Sequence, residues 1–574
     1  MRATADSVAA VIARFLKARG VDRVFGLCGG HIMPIWMRLD AEGIAIVDVR
    51  DERAAVYMAH AYGALRGSVG VALVTAGPGV TNAMTGIANA HVARASVLVL
   101  SGLPPRAQEN RGALQDIVHT DLVRSITRYA RSVREPSLAL QEIDEAYSRA
   151  LGDGGDPGPA YLDFPTDTLR ATFPPALLHD ERFASKARMR ALPDPERVAQ
   201  AADLLATARR PLVISGRGAR SAGPSLIRLL DTLGAAYLDT GESRGLVPDA
   251  HRSVTTALRG IVMGEAGVVL TVGRRLDFQL AYGSPAVFGG ARFVRIADAA
   301  CELRDNRRGV VEIQADCGAT MDALESALRD RTLSVDQAWV RSIRERHEAR
   351  VRKLRQAMRE APVDAHGRMH PNYLLACLRD RLDDDAIVVA DGGDFLSFAR
   401  VGLPATMGLD PGSLGCIGVG TPFGIAASLA CPDRCVIVAT GDGSFGFNAM
   451  EIDTAVRHRA PVLIVVANNG AWQIEVHDQH VTHGKVVGTT LQFADHAAMA
   501  RAFGMHGERV ERAGDLPSAI DRALENRPAL IDVVVSPDAV SSDAKSGLAW
   551  VPDLQPLAAW DETERAFRAG RLEG

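Results

Sequence analysis

Residues 441–470 read GDGSFGFNAMEIDTAVRHRAPVLIVVANNG, and the fold is decided there. An apolar run, CVIVAT, ends in Gly441-Asp442-Gly443; a helical stretch follows; a second apolar run, PVLIVVA, ends in Asn468-Asn469. This is strand, helix, strand, with both polar clusters at the carboxyl ends of neighbouring parallel strands, where open α/β sheets place their ligands. Asp442 and Asn469 therefore meet at one crevice. A carboxylate and an amide oxygen are ligands that a small hard cation such as Mg²⁺ takes while bridging to a diphosphate. Gly441 and Gly443 leave the backbone open to phosphate oxygens, and the next helix offers its N-terminal amides. A GDG triplet by itself is a common turn.

Here 24 residues separate the GDG from the Asn pair, and that combination resembles the thiamin-diphosphate signature. The remaining composition sets bounds. A chain of 574 residues holds three or four units of ordinary domain size, and 47% hydrophobic residues supply their cores. A net charge of −4 gives no electrostatic reason to expect nucleic acid. The seven cysteines are scattered without a CxxC pair, which suits a reducing cytoplasm. The N-terminal helix pattern (Val8, Ile12, Phe15, Leu16) lacks a signal h-region, and no run approaches a membrane span. A soluble cytoplasmic protein with no membrane partner is the expectation.

The fold class expected is α/β, with three doubly wound parallel-sheet domains and a C-terminal tail. Residues 1–172 carry the runs VDRVFGL, IAIVDV, VGVALVT, SVLVLSG and AYLDFP; residues 196–345 carry PLVISGRG, AAYLDT, VVLTVG and RFVRIAD. Between them, residues 173–195 are rich in Pro and charge and read as a linker. A charged helical stretch, QAWVRSIRERHEARVRKLRQAMREAP, leads to the third unit, residues 365–540, and residues 541–574 form the tail.

Motifs cluster in the first unit: Cys28-Gly29-Gly30-His31, Arg50-Asp51-Glu52, and Ala76-Gly77-Pro78-Gly79 with Thr81-Asn82 follow successive strands. Together with the GDG…NN stretch they resemble the acetolactate synthase, oxalyl-CoA decarboxylase and pyruvate decarboxylase superfamily, over nearly the whole chain. The resemblance implies pyrimidine-binding, middle and diphosphate-binding domains in that order, and a homodimer or homotetramer with sites at the interface. It implies that Glu52 hydrogen-bonds the aminopyrimidine N1′ and so lets the cofactor deprotonate its own thiazolium carbon. A structural role for Glu52, an acid at a helix N-terminus, is compatible with this.

In the third unit, Asp391-Gly392-Gly393-Asp394 is a second glycine-rich candidate for the diphosphate end, and GSLGCIGVGTPFG resembles the family's GLGTMGFGLP segment. The implied cofactor set is Gly393, Asp394, Gly415, Ile417, Gly443 and Ser444: the Gly415 carbonyl faces the aminopyrimidine amine, and Ile417 wedges the cofactor into its bent form. The implied Mg²⁺ set is Asp442, Asn469 and Ala471. Glu475 stands six residues beyond Asn469, where pyruvate decarboxylases carry an active-site glutamate and acetolactate synthases generally do not. An exposed helical glutamate is the alternative reading. His31 lies on the loop beside the reactive end, and Gln115 matches the substrate-side glutamine of acetolactate synthases. His477, His480 and His483 read as a solvated helix or turn rather than a metal site.

In the middle unit, RRLDFQLAYG departs from the FDDR-type motif associated with flavin and is closer to the RLNW-type stretch of oxalyl-CoA decarboxylases and 2-hydroxyacyl-CoA lyases. FAD is therefore not expected. ADP is a candidate there, with Arg217 and Arg275 for its phosphates, against a vestigial fold whose arginines are simply solvated. The tail holds Lys545, Trp550 and Trp560. It reads either as a docking segment or as a lid over an extended substrate. The leading functional expectation is a 2-hydroxyacyl-CoA lyase that releases formyl-CoA and an aldehyde or ketone. A 2-oxoacid decarboxylase or acetolactate synthase-like carboligase is the alternative, and a noncatalytic cofactor-binding paralogue the reading from another class.

Overall fold

The computed structural model describes residues 7–153, 156–178, 181–184, 189–404, 408–541 and 544. Three parallel sheets follow one another along the chain. In the first, β1 (Arg23–Gly26), β2 (Ala45–Asp48), β3 (Gly70–Val74), β4 (Val97–Leu103), β5 (Tyr129–Ser132) and β6 (Ala160–Pro165) lie in the order β2-β1-β3-β4-β6-β5. The second contains β7 (Pro211–Ser215), β8 (Ala236–Leu238), β9 (Val268–Val272), β10 (Arg292–Ala297) and β11 (Val311–Gln314), ordered β11-β10-β9-β7-β8. The third contains β12 (Ile387–Ala390), β13 (Val436–Gly441), β14 (Val462–Asn468), β15 (His506–Val510) and β16 (Ala529–Val534), ordered β12-β13-β14-β16-β15.

Parallel sheets covered by helices on both faces need strands that are apolar throughout. Every residue of β3, β4 and β14 is buried accordingly. Three strands escaped the sequence reading: β5 (YARS), β11 (VEIQ) and β15 (HGERV), each at the edge of its sheet. These three keep polar, partly solvated side chains, as an edge position permits, and so write no continuous apolar run into the sequence, unlike the buried edge strands β8 and β12.

The helical stretch after Asp442 is two helices, not one: Asp442–Phe447 and Glu451–Arg457. They part at Asn448, whose backbone leaves the helical region and whose side-chain amide donates to the Gly418 carbonyl at 2.7 Å. The outer units of the chain share a core. Helix Glu52–Arg66 packs on helix Gly420–Ala430, with Tyr57 and His60 both edge-on to the Phe423 ring at 6.1 and 5.0 Å. Aromatic edge contacts of this kind add about 0.5–1.5 kcal/mol beyond area burial. The connecting helix runs Gln337–Arg359, its N-terminus capped by Asp336. Among the described residues no helix is long and apolar enough to cross a membrane.

Candidate active site

Glu52 opens the helix Glu52–Arg66, capped by the Asp51 side chain, which accepts from the Arg53 N–H at 2.8 Å. The chain is fixed just ahead of it by the third unit: Glu451 accepts the Arg50 and Asp51 backbone N–H groups at 3.0 and 3.1 Å. Glu451 is 1% exposed, and burial pushes its carboxyl up to about 7. The Glu52 carboxylate is itself buried; Oε2 accepts from Asn82 at 3.1 Å, and Oε1 lies over Gly79. A carboxylate held at a helix N-terminus by one amide keeps acceptor capacity for a ligand donor or proton.

Around this acid stands a wall from the ends of β1, β3 and β4. Gly77 donates its N–H to His119 Nε2 at 2.8 Å, which leaves the ring proton on Nδ1, 3.3 Å from Asp163 Oδ2. Gln115, at φ 63°, packs against Gly77 and hydrogen-bonds the His31 ring. Burial holds the His31 imidazole below its ordinary value, and its Nδ1 has no protein partner. The hydroxyl of Thr75, also buried, has none. The structure thus brings Glu52, His31 and Gln115 together in one domain. His119 and Asp163 were not singled out from the sequence, because their pairing joins a loop to a strand end 44 residues away.

The other half is built at the ends of β12, β13 and β14. Asp442 is the first residue of its helix and 6% exposed, with Oδ2 accepting from the Gly470 N–H at 3.1 Å. Burial pushes its carboxyl up to about 6, against the pull of several backbone N–H groups, and no cationic side chain pairs with it among the described residues. Asn469 Oδ1 turns toward the Ala471 N–H at 3.2 Å. The Trp472 ring fills the space where a Gly443 Cβ would sit, at 2.6 Å, and Gly392, at φ 115°, lets Ser444 Oγ approach to 2.9 Å of the position its own Cβ would take. Only glycine meets either demand. Gly393 packs on Ile474, and Asp394, buried, accepts from the Ser541 N–H at 3.4 Å.

Asp391 is committed to structure. Its carboxylate accepts from Gly392, Gly418 and Gly420 N–H groups at 2.7–3.2 Å and so shapes the loop that carries Gly415 and Ile417. Gly415, at φ 69°, is exposed and Ile417 is half-buried. Glu475 lies on the helix Gln473–His483, and its side chain is exposed in the single chain. Crowding by protein atoms, with Asp478 and Asp394 nearby, raises its carboxyl; solvent screening keeps that effect modest. The same helix anchors the outgoing chain, Gln473 donating to the Pro537 carbonyl at 2.6 Å, and His477 facing the Ala539 carbonyl at 3.2 Å.

The units that carry the buried acid and the oxygen-donor crevice, and the unit between them, match known protein families. Residues 6–123 match the thiamine pyrophosphate enzyme N-terminal TPP binding domain, residues 198–324 the central domain, and residues 391–533 the C-terminal TPP binding domain. The chain belongs to the thiamine pyrophosphate enzymes. It is 34% identical over 549 residues to a probable acetolactate synthase of Mycobacterium bovis, covering 94% of this chain and 97% of that protein. It is 31% identical over 580 residues to 2-hydroxyacyl-CoA lyase 2 of Caenorhabditis elegans (92% and 89% covered), and 30% identical over 575 residues to the human protein of that name (91% and 89%).

For a thiamine pyrophosphate enzyme the residues present fit the cofactor and a metal. Asp442, the Asn469 amide and the Ala471 carbonyl would supply only oxygen donors, as Mg²⁺ prefers, and a buried carboxylate without a cationic partner among the described residues is the group such an ion would neutralise. The middle domain is arranged differently from the expectation. Arg217 donates to both Asp298 oxygens at 2.8 and 3.0 Å, and Asp298 and Glu302 also meet Arg94 of the first domain. Asp298, which follows β10 directly, thus takes Arg217 into a domain-joining ion cluster, while Arg275 is exposed. Lys545, Trp550 and Trp560 lie outside the described residues.

Proposed function

We propose that this thiamine pyrophosphate enzyme is a 2-hydroxyacyl-CoA lyase, cleaving the C1–C2 bond to formyl-CoA and an aldehyde or ketone. The observation that carries this is Glu475, a carboxylate of raised basicity on the open side of the crevice, beside Asp394. Breaking that bond requires a base for the substrate's 2-hydroxyl proton, and Glu475, an exposed acid near Asp394, would take it. The RRLDF stretch and the long tail agree with a CoA thioester. Thiamine diphosphate supplies the thiazolium carbon nucleophile and the electron sink. Glu52 would hold the proton exchanged at N1′, Gly415 would orient the amine and Ile417 the bend. Asp442, Asn469 and Ala471 would hold Mg²⁺ against the diphosphate. FAD is not part of the proposal.

A second reading, a 2-oxoacid decarboxylase or carboligase, is favoured by the Gln115–His31 contact and by the acetolactate synthase relative. Mass spectrometry on a panel of 2-hydroxyacyl-CoA thioesters and 2-oxoacids decides. Formyl-CoA supports the lyase, CO₂ from pyruvate the second reading, and turnover of nothing a noncatalytic paralogue. Glu475→Gln keeps shape but removes the base. It should slow cleavage by about 10²-fold while the cofactor binds normally, and a wild-type rate would return Glu475 to a surface role.

The protein should also assemble as a homodimer or homotetramer. Exposed apolar side chains border the site from both domains: Leu114, Ile117 and Val118 from one, Leu414, Phe447 and Met450 from the other. Such a surface is suited to cover by a second copy. Light scattering should show no active monomer.

A further inference from the structure

We infer that Asp532, a buried carboxylate on β16, is a positioning residue for the metal site: with Asn468 and Arg509 it locks residues 489–496 against both the turn at 469–472 and the helix that opens at Asp442. The inference rests on the reading of Asp442, Asn469 and Ala471 as Mg²⁺ ligands. Asp532 is none of these and acts on them from inside the sheet.

Asp532 is 0% exposed, and three donors reach it from three places in the chain. Its Oδ1 accepts from the Asn468 side-chain amide at 2.9 Å; its Oδ2 accepts from the His496 backbone N–H at 3.1 Å and from Arg509 Nη1 at 2.9 Å. Sheet order makes this meeting possible, since β16 lies between β14, which ends in Asn468, and β15, where Arg509 stands in register with Asp532. Asn468 and Arg509 also both donate to the Ala494 carbonyl, at 2.9 and 2.8 Å, and Arg509 Nη2 reaches the Phe493 carbonyl at 3.4 Å. The remaining Arg509 donor, Nε, goes to Glu511 at 2.9 Å. A buried ion pair is weak evidence for stability, because apolar residues of similar volume serve a core as well or better. What the carboxylate does supply is a fixed path for residues 493–496, through charge-assisted bonds on both of its oxygens.

That segment touches the metal site from two sides. Leu491 donates its N–H to the Gly470 carbonyl at 2.6 Å, and Trp472 donates its own to the Thr489 carbonyl at 2.9 Å, so the turn that holds Asn469 and Ala471 hangs on residues 489–491. The Phe493 ring lies 3.0 Å from the place a Gly470 Cβ would take, and the His496 ring meets Phe445, on the helix Asp442–Phe447, edge-on at 5.2 Å. Mg²⁺ demands near-ideal octahedral geometry, and losing groups that only orient metal ligands costs about 10–100-fold in affinity.

The test is calorimetric titration of Mn²⁺, which shares the preference of Mg²⁺ for oxygen ligands, into the full chain at saturating thiamine diphosphate, beside thermal melts of the metal-free protein. The Arg509 side chain is 21% exposed, so Arg509→Gln withdraws the clamp without emptying the core. Arg509→Gln and Asp532→Asn should each weaken Mn²⁺ binding at least tenfold, and Arg509→Lys should recover part of the loss. Arg512→Gln, which removes a surface arginine paired with Asp515, should leave it unchanged. Should Asp532→Asn fail to fold, the Arg509 variants decide alone. A lower Tm with wild-type Mn²⁺ affinity in Arg509→Gln would overturn the inference and leave the cluster a purely structural one, and equal losses in Arg509→Gln and Arg512→Gln would overturn it too. Asp442→Ala separates the two readings: wild-type affinity there would overturn the metal site and this inference together, whereas loss there beside wild-type affinity in Arg509→Gln would overturn this inference alone.

Discussion

Glu52→Gln should retain the cofactor and lose turnover by about 10²–10⁴-fold, the range for removing a general acid–base group. The structure explains why the change is so selective. Among the described residues Glu52 makes a single side-chain hydrogen bond, from Asn82, and a glutamine side chain can accept that bond through its amide oxygen without altering the helix that Asp51 caps. The backbone ahead of it is held from across the domain interface by Glu451, which the substitution does not touch. On the proposed reading, what would disappear is the capacity to exchange a proton with N1′ of the cofactor's aminopyrimidine. Single-turnover kinetics beside a cofactor-binding titration would check this. Full activity in Glu52→Gln would remove the residue from the chemistry, and loss of cofactor binding instead would make it an anchor.

Asp442→Ala should fail one step earlier, at loading. Asp442 is the buried carboxylate of the proposed oxygen-donor set, and without it only the Asn469 amide and the Ala471 carbonyl would be left to hold the metal. Neutral oxygens alone are weak competitors for a divalent cation that keeps its water tightly. Since disturbing groups that merely orient metal ligands costs about 10–100-fold in affinity, removing a ligand should weaken cofactor and metal binding at least that much. The folded protein should survive, because the alanine leaves no buried charge behind. In thermal melts, cofactor with Mg²⁺ should raise the Tm of the wild type and not of the variant, as ligand linkage demands. A normal ligand-induced shift in Asp442→Ala would sink the metal assignment.

The two variants separate the halves of the site, and those halves were unequally legible in the sequence. Runs such as PVLIVVA and SVLVLSG announce themselves because a parallel strand covered on both faces must be apolar at every position. The ends of those strands, marked by Gly-Asp-Gly, Asn-Asn and Asp-Gly-Gly-Asp, identify the crevice for the same local reason. The three sheets followed from this pattern; the order of pyrimidine-binding, middle and diphosphate-binding domains was what the family resemblance implied.

Other features could be decided only by the folded chain, since each depends on residues that meet across long sequence separations. The edge strands β5, β11 and β15 exist because a neighbour supplies their hydrogen bonds, and nothing in their own polar composition requires it. Asp391, in sequence a second diphosphate candidate, is drawn inward by three backbone N–H groups, two of them from the Gly418–Gly420 turn. Arg217 belongs to Asp298 and, through it, to Arg94 of another domain. His119 acquires its tautomer from Gly77 and Asp163, and Glu52 its setting from Glu451, 399 residues along the chain. Local sequence sets hydrophobic period and turn chemistry, which fix the elements and their order. Which partner satisfies each buried polar group is settled only when the domains pack, because a buried donor or acceptor left unpaired costs about 1–3 kcal/mol and the fold that pairs them prevails.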